Sequence, residues 1–321
     1  ALAAAGEGVV IKEMKIIFFC PPVVTVNGGI KHIFRMAETL IAQGRDAVVF
    51  EQTGARPTWF ASTAPIIGQG AFTPAADHLY VLPEDQPHIL ADFARLPQRK
   101  VIYSQNHFYG ALGVGDAASY ADYGVTDILC SSRTIYDHCR LRHPTLRATV
   151  VPCAVDPALF KPAPEKQNII AFMPRKRAIE AVYIRDMFRF THPQYRDWQW
   201  REIANASEAD TARMMGEARV FLSLSRLEGL GLTPLEAMAS GCTVAGFTGI
   251  GGREYATSDN GFWANEDDFP ACNTALAQAV AQSLAPTEAH QAAHRQTLAA
   301  YTPETFFQGV KAAWDGILAQ N

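Results

Sequence analysis

The stretch KIIFFCPPVVTVNGGIKHIFRMAETLIAQGRDAVVF (15–50) decides the fold. It opens on a short apolar run, KIIFF (15–19), and closes on another, DAVVF (46–50). Runs of that length, rich in β-branched and aromatic residues, read as buried parallel strands. Between them Ile30, Ile33, Phe34, Ala37, Leu40 and Ile41 recur at helical spacing and predict a helix with one apolar face. Gly44 follows where a glycine ends a helix. Strand, glycine-bearing turn, helix, strand is a βαβ unit, and its repetition argues for a doubly wound parallel sheet.

The repetition is there. KVIYS (100–104), DILCS (127–131) and ATVVP (148–152) read as further strands. At VDPALFKPAPEKQ (155–167) prolines and polar residues break the pattern. It restarts with NIIAFM (168–173), WQWREI (198–203), RVFLSLS (219–225) and CTVAGF (242–247). A helix fits at 207–218, with Ser207 and Asp210 placed for a capping box, and an amphipathic helix closes the chain at 302–319. The expectation is two Rossmann-like α/β domains, 14–157 and 158–302, facing across a cleft at their strands' carboxyl ends, where such sheets bind ligands.

Composition agrees and narrows the classes. The 321 residues are 48% hydrophobic and 19% charged, a globular balance that excludes disorder and fibrous repeats. A chain of that length outgrows a single core. The formal charge of −4 supplies no overall field for nucleic acid, so none is expected as a partner. Cys20, Cys130, Cys139, Cys153, Cys242 and Cys272 show no C-x-x-C spacing and mostly lie in apolar runs, which suits buried free thiols. No run approaches the roughly 18 apolar residues of a membrane span. ALAAAGEGVVIKE (1–13) lacks the features of a signal peptide, and Met14 makes a natural start, leaving 1–13 as an added or loose extension. The expected setting is cytoplasmic, with at most peripheral contact at the inner membrane face.

The chemistry concentrates in SRLEGLGLTPLEAMASGCTVAGFTGIGGREY (225–255). Glu228 and Glu236 flank the Gly229-x-Gly231 turn, and a helix is predicted to open at Pro234. Glycines let backbone approach a ligand closely, and a helix N-terminus offers free N–H groups to a phosphate. A carboxylate accepts paired hydrogen bonds from vicinal hydroxyls, which suits sugars and ribose. Spacing leaves Glu236 with two meanings, because Thr233-Pro234-Leu235-Glu236 also reads as a capping box. Glu228 has no such alternative, since it precedes the helix inside a predicted loop. There is no P-loop, GALGVG (110–115) is a weak dinucleotide signal, and Glu266-Asp267-Asp268 reads as a helix cap rather than a metal site.

EGLGLTPLEAMASG (228–241) resembles the E-G-F-G-L-x-x-x-E-A-M-A-x-G signature of retaining family-4 glycosyltransferases of the GT-B fold. NGGIKHIFRMAETLIAQG (27–44), VVPCAVDPALFKP (150–162) and IGGREY (250–255) resemble other landmarks of that family in the same order. The resemblance implies transfer of a sugar from a nucleotide-diphosphate donor to a carbohydrate, lipid-linked or other hydroxyl acceptor, with retention and without a metal or other cofactor. Bacterial surface polysaccharide or glycoconjugate synthesis is the implied setting. Glu228 would contact the donor sugar, Glu236 the ribose, and the backbone of Gly229, Leu230, Gly231 and Leu232 the diphosphate and sugar. Gly28 and Gly29 would form a flexible loop facing the diphosphate, and His107 in YSQNHFYG (103–110) would touch the sugar, although a loop histidine equally serves as a structural hydrogen-bonder. The final helix would return to the first domain.

One departure concerns the diphosphate. Where the family carries G-R-x-x-x-x-K-G, this chain has MPRKRAIEA (173–181). Arg175 matches the family arginine, and the lysine role falls to Lys176 in preference to Arg177, against the alternative of a solvated basic turn. Cys153 replaces a frequent asparagine and reads as packing. His32 reads as a surface residue. The segment 51–98 is where acceptor recognition is expected. Rival functions are a sugar-nucleotide epimerase or hydrolase of similar fold, and a non-catalytic sugar-nucleotide-binding subunit.

Overall fold

The computed structural model describes residues 14–116 and 118–319. Residues 1–13, read above as an extension, lie outside the described residues, as do Ala117, Gln320 and Asn321. The first unit runs β1 (Lys15–Phe19), α1 (Gly28–Ala42), β2 (Ala47–Phe50), β3 (Ile66–Ile67), β4 (His78–Pro83), α2 (Pro87–Ala94), β5 (Arg99–Ser104), α3 (Gly110–Val114), β6 (Val125–Cys130), α4 (Arg133–Arg142) and β7 (Arg147–Val150). Its strands pair in parallel in the order β3-β2-β1-β4-β5-β6-β7. The second unit runs β8 (Gln167–Phe172), α5 (Ala178–Thr191), β9 (Gln199–Glu202), α6 (Glu208–Glu217), β10 (Ala218–Glu228), α7 (Leu232–Ala239), β11 (Thr243–Ile250), β12 (Phe262–Ala264), α8 (Phe269–Leu284) and α9 (Glu288–Leu298). Its parallel order is β12-β11-β10-β8-β9. The expected pair of doubly wound sheets is what the chain forms.

The central strands of each sheet are buried on both faces and read as largely apolar runs, whereas edge strands such as β7 (RATV) and β9 (QWRE) do not. In β1, Ile16 and Phe18 enter one core with α1, while Ile17 and Phe19 enter the opposite one. The last helix, α10 (Pro303–Leu318), starts on Thr302, whose hydroxyl accepts from Thr305 N, with Pro303 in the first turn. It packs on the first unit: Phe306, Val310, Trp314 and Ile317 join the β1–α1 core, and the Trp314 ring meets Phe18 edge-on at 6.0 Å. Removing a buried ring of that size costs about 3–5 kcal/mol.

Several expectations need correction. β4 lies between β1 and β5 in the middle of the first sheet, yet the segment 51–98 gives no strand in the reading above. The apolar run of β4 is short and enclosed by prolines and polar residues, which masks it. Helix α1 begins at Gly28 with Asn27 as its cap, so Gly28 and Gly29 are helical first-turn residues rather than a loop. Ile41, placed on the buried face, is 39% exposed, whereas His32, placed at the surface, is 5% exposed and sits beside Phe306. Burial, reinforced by Lys31 and Arg35, pushes the His32 ring down to about 3, which keeps it neutral. Strand β10 runs on to Glu228, which pairs with Ile250 of β11, so Glu228 ends a strand instead of standing in a loop.

Candidate active site at the seam between the two sheets

The second unit's lip is built from backbone. Gly229 follows β10, and a Cβ placed there would lie 2.2 Å from Gln105 O of the first unit. Gly231, at φ +82°, turns the chain into α7, whose first turn no side chain caps. Tyr255 donates to Gly231 O at 2.6 Å and pins that turn from below. The IGGREY segment supports it too: a Cβ on Gly251 would lie 2.4 Å from Gly229 O. Ile250 takes φ +74°, a conformation costly for a β-branched residue, at the point where β11 meets Glu228. Leu230 is buried, and Leu232 is the first residue of α7.

This geometry decides one open question. α7 starts two residues earlier than the capping reading needs, with Gly231 as its cap, so Thr233 and Glu236 form no capping box. The Glu236 side chain reaches instead to Lys31 Nζ of α1, at 3.1 Å.

The basic cluster divides sharply. Arg177, 1% exposed, gives its guanidinium to Glu266 Oε2 at 2.7 Å, to Asp267 Oδ1 at 2.5 Å and to Ser225 O at 3.2 Å. It also stacks 4.4 Å from the Phe247 ring. Arg177 is therefore a structural ion, and of Glu266, Asp267 and Asp268 only Asp268 caps α8, accepting from Ala271 N. Lys176 faces the seam, paired with Glu228 Oε1 at 2.8 Å. Arg175 is exposed and makes no hydrogen bond or ion pair among the described residues.

The first unit's lip is built from side chains. Glu84, directly after β4, accepts from the amides of both Gln105 and Asn106, at 3.0 and 2.8 Å. Burial pushes its carboxyl up to about 7, against the pull of those amides. The loop it holds then crosses the seam: Asn106 donates to Leu227 O at 2.8 Å, and Ser132 donates to Gly229 O at 2.7 Å. Gln105 also reaches Gly29 O at 3.1 Å, joining the start of α1 to this loop. Gly28 has open space where a side chain would stand. His107 follows Asn106 with its Nδ1 buried and unpartnered, its ring 5.3 Å from that of His138. Burial, then the His138 charge, lowers its pKa, so it stands neutral at neutral pH.

The structure thus gathers Glu228, Lys176, Gly229, Gly231, Glu236 and Gly29 along one seam, whereas the His107 ring lies against Phe108 and His138 of its own unit and exposed Arg175 precedes Lys176 in the chain. The sequence reading missed Lys31, Glu84, Gln105, Asn106 and Ser132. Asn106 and Gln105 stood next to His107 in a post-strand loop, which is a usable signal. Lys31 gave none, because its two partners are 177 and 205 residues away.

Two parallel-sheet units meeting along a glycine-rich seam, with the last helix returned to the first unit, define the GT-B fold of glycosyltransferases. Anabaena HepE, solved in complex with UDP-glucose, is similar at a TM-score of 0.69 and 14% identity over 95% of this chain and 100% of that one. Sucrose-phosphate synthase from Thermosynechococcus elongatus is similar at 0.68 and 13% identity, covering 96% and 100%. In sequence, residues 198–285, from β9 to α8, are similar to the family described as Glycosyl transferases group 1. Over 225 residues the chain is 29% identical to an alpha-1,6-glucosyltransferase of Actinobacillus pleuropneumoniae serotype 7 (strain AP76). That alignment covers 65% of this chain and 64% of the relative, so the chain spans less than two thirds of that protein. No helix among the described residues is long and apolar enough to cross a membrane.

Proposed function

We propose that this chain is a retaining glycosyltransferase that moves a sugar from a nucleoside diphosphate to a hydroxyl acceptor. The carrying observation is the pair of carboxylates, Glu228 and Glu236, flanking the Gly229–Gly231 turn at an uncapped helix start, with Lys176 against Glu228. In this reading Glu236 takes the ribose and Glu228 the sugar hydroxyls. Arg175, Lys176 and the free amides of the α7 first turn neutralise the departing diphosphate, which is where charge develops. Backbone of Gly229 to Leu232 lines that group from the second unit, and Gly28 and Gly29 approach it from the first. His107, held neutral, hydrogen-bonds the sugar. No metal enters the scheme.

Retention follows from a same-face displacement in which the leaving phosphate accepts the acceptor's proton as the new C–O bond forms. Closure of the seam excludes water and limits donor hydrolysis. The similarity to an alpha-1,6-glucosyltransferase and to HepE, solved with UDP-glucose, supports UDP-glucose as the first donor to test. The acceptor side belongs to the first unit, including 51–98, and a cytoplasmic role in surface polysaccharide or glycoconjugate synthesis suits the same reading.

The test is donor consumption. The protein is incubated with UDP-glucose and a panel of other nucleotide sugars, with and without candidate acceptors, and products are read by NMR. Acceptor-dependent loss of donor with an α-linked product from an α-donor is the expected result. Acceptor-independent turnover favours the epimerase or hydrolase, and binding without turnover favours the non-catalytic subunit.

A further inference from the structure

The seam contains an ion triad that the scheme above does not use. Lys31, one turn into α1, reaches out of the first unit and places Nζ 2.8 Å from Glu208 Oε1 and 3.1 Å from Glu236 Oε1. All three side chains are only 12–13% exposed. Arg35, a turn further along α1, lies 3.6 Å from the second Glu208 oxygen. The Glu208 amide donates to Trp59 O of the first unit at 2.8 Å, so the start of α6 is itself fixed across the seam. The Phe160 ring lies 5.8 Å from the ammonium and covers it.

Two consequences follow. Glu236 and Glu208 share Lys31, and Glu208 has beside it only the longer contact to Arg35, so without Lys31 two largely buried carboxylates face each other, which is costly. Lys31 also holds one defined oxygen of Glu236, while Oε2 makes no hydrogen bond among the described residues. A carboxylate anchored through one oxygen offers the other in a fixed direction, and such preorganisation is what a charge-assisted hydrogen bond to a hydroxyl requires.

We infer that Lys31 is a positioning residue for the nucleotide site: from the opposite unit it orients Glu236 toward the ribose and so makes ribose recognition depend on domain closure. This rests on the reading of Glu236 as the ribose ligand. It adds a residue of the first unit, far away in sequence, to a ribose contact otherwise assigned to the second unit alone. Because the lysine and the carboxylate belong to different units, the ribose contact is strong only when the seam is shut. Nucleotide binding and closure then favour each other by linkage.

The experiment compares UDP, GDP and ADP with their 2′-deoxy forms by calorimetry on the full chain. Wild type is expected to bind the preferred ribonucleotide about tenfold or more tighter than its deoxy form. Glu236→Gln should abolish that ratio. Lys31→Met should reduce it to near one as well, and combining Lys31→Met with Glu236→Gln should lower it no further. Should Lys31→Met fail to fold, Lys31→Met with Glu208→Gln removes the unbalanced charge and is expected to show the same loss. Glu208→Gln alone leaves Lys31 on Glu236 and should keep the ratio. A Lys31→Met protein, or its double variant, that retains full ribose discrimination overturns the inference about Lys31. Tighter nucleotide binding in that variant overturns it too, since Lys31 would then oppose the ligand. If wild type and Glu236→Gln discriminate alike, or wild type binds none of the nucleotides, the ribose reading of Glu236 fails instead.

Discussion

The two lips of the seam are made differently. On the second unit, Gly229, Gly231 and Gly251 let strand, turn and helix start pack backbone to backbone, with little side-chain volume between them. On the first, Glu84 and Gln105 brace the loop within their own unit, and Asn106 and Ser132 extend side chains that bond the opposing main chain. One lip is a shape that only particular residues permit, and the other is a set of hydrogen bonds that several residue types can approximate. A substitution on the glycine lip therefore acts through excluded volume at Gly229 and Gly251 and through backbone strain at Gly231. A substitution on the side-chain lip acts through single bonds worth about 0.5–1.5 kcal/mol each.

The strongest test of this difference is Gly229→Ala. Its Cβ would stand 2.2 Å from Gln105 O and 2.7 Å from Ile135 Cδ1, so the units must separate. Turnover should fall by about two orders of magnitude or more, in line with the cost of misplacing reacting groups by an ångström. Small-angle scattering should report a larger radius with and without nucleotide. Normal activity in this variant would show that the seam need not close.

Next come two neighbouring arginines that should respond in opposite ways. Arg177→Ala leaves Glu266 facing an uncompensated site and should cost about 3–5 kcal/mol of stability, read by denaturant unfolding. Arg175→Ala should leave unfolding unchanged while raising the barrier to transfer by roughly 2–4 kcal/mol, with weaker nucleoside diphosphate binding. Equal effects on stability would erase the division between a structural and a functional cation.

On the other lip, Asn106→Ala removes the bond to Leu227 O and the local bond that Asn106 Oδ1 accepts from Phe108 N. Turnover is expected to fall by up to about tenfold, with the compact state still reachable. A loss as large as that of Gly229→Ala would mean the two lips are not distinct in kind.

The smallest effect is one of slope. Glu84 titrates at about 7 in the fold against an ordinary 4.5, so between those values the folded protein holds a proton that the unfolded chain has released. Its contribution is complete below about 4.5 and is lost as pH rises through 7. Glu84→Gln keeps an acceptor for the two amides, so the melting temperature should fall less steeply over that range than in wild type. The buried His32, His143 and His294, pushed down to between about 3 and about 4, tilt both proteins the opposite way, since the unfolded chain binds protons first on acidification. The difference between the two curves isolates Glu84, and parallel curves would remove it from the account.

The same contrast explains what could be read in the sequence. Gly229, Gly231 and the two glutamates are legible because a backbone site needs fixed residues at fixed short spacing. Alternating apolar runs likewise disclose most strands of both sheets. β4 escapes because HLYVLP (78–83) lies in a segment dense with prolines and alanines, where no helix announces its partner strand. Glu236 was ambiguous because a cap and a ligand use the same residue at the same distance from a helix start. Only the true start, at Leu232, separates them. Lys31 and Ser132 could not be found, since their chemistry lies in contacts across the seam; Lys31 carries no local pattern, and the local pattern of Ser132 is that of an ordinary helix cap on α4.

The chain crosses from one unit to the other twice, once after β7 and again before α10. The two crossings touch, with Val155 N donating to Tyr301 O at 2.9 Å. Pro152 packs so closely on α10 that a Cβ on Gly309 would lie 2.5 Å from its ring. Two tethers fastened side by side act like a door hung on paired pins: they permit a swing about one axis and resist twist and sliding. An opening motion would then have about one degree of freedom, and each return would bring Glu236 back to Lys31 in the same register. Severing either tether, for instance by a nick near residue 300, would leave both sheets intact and release the twist.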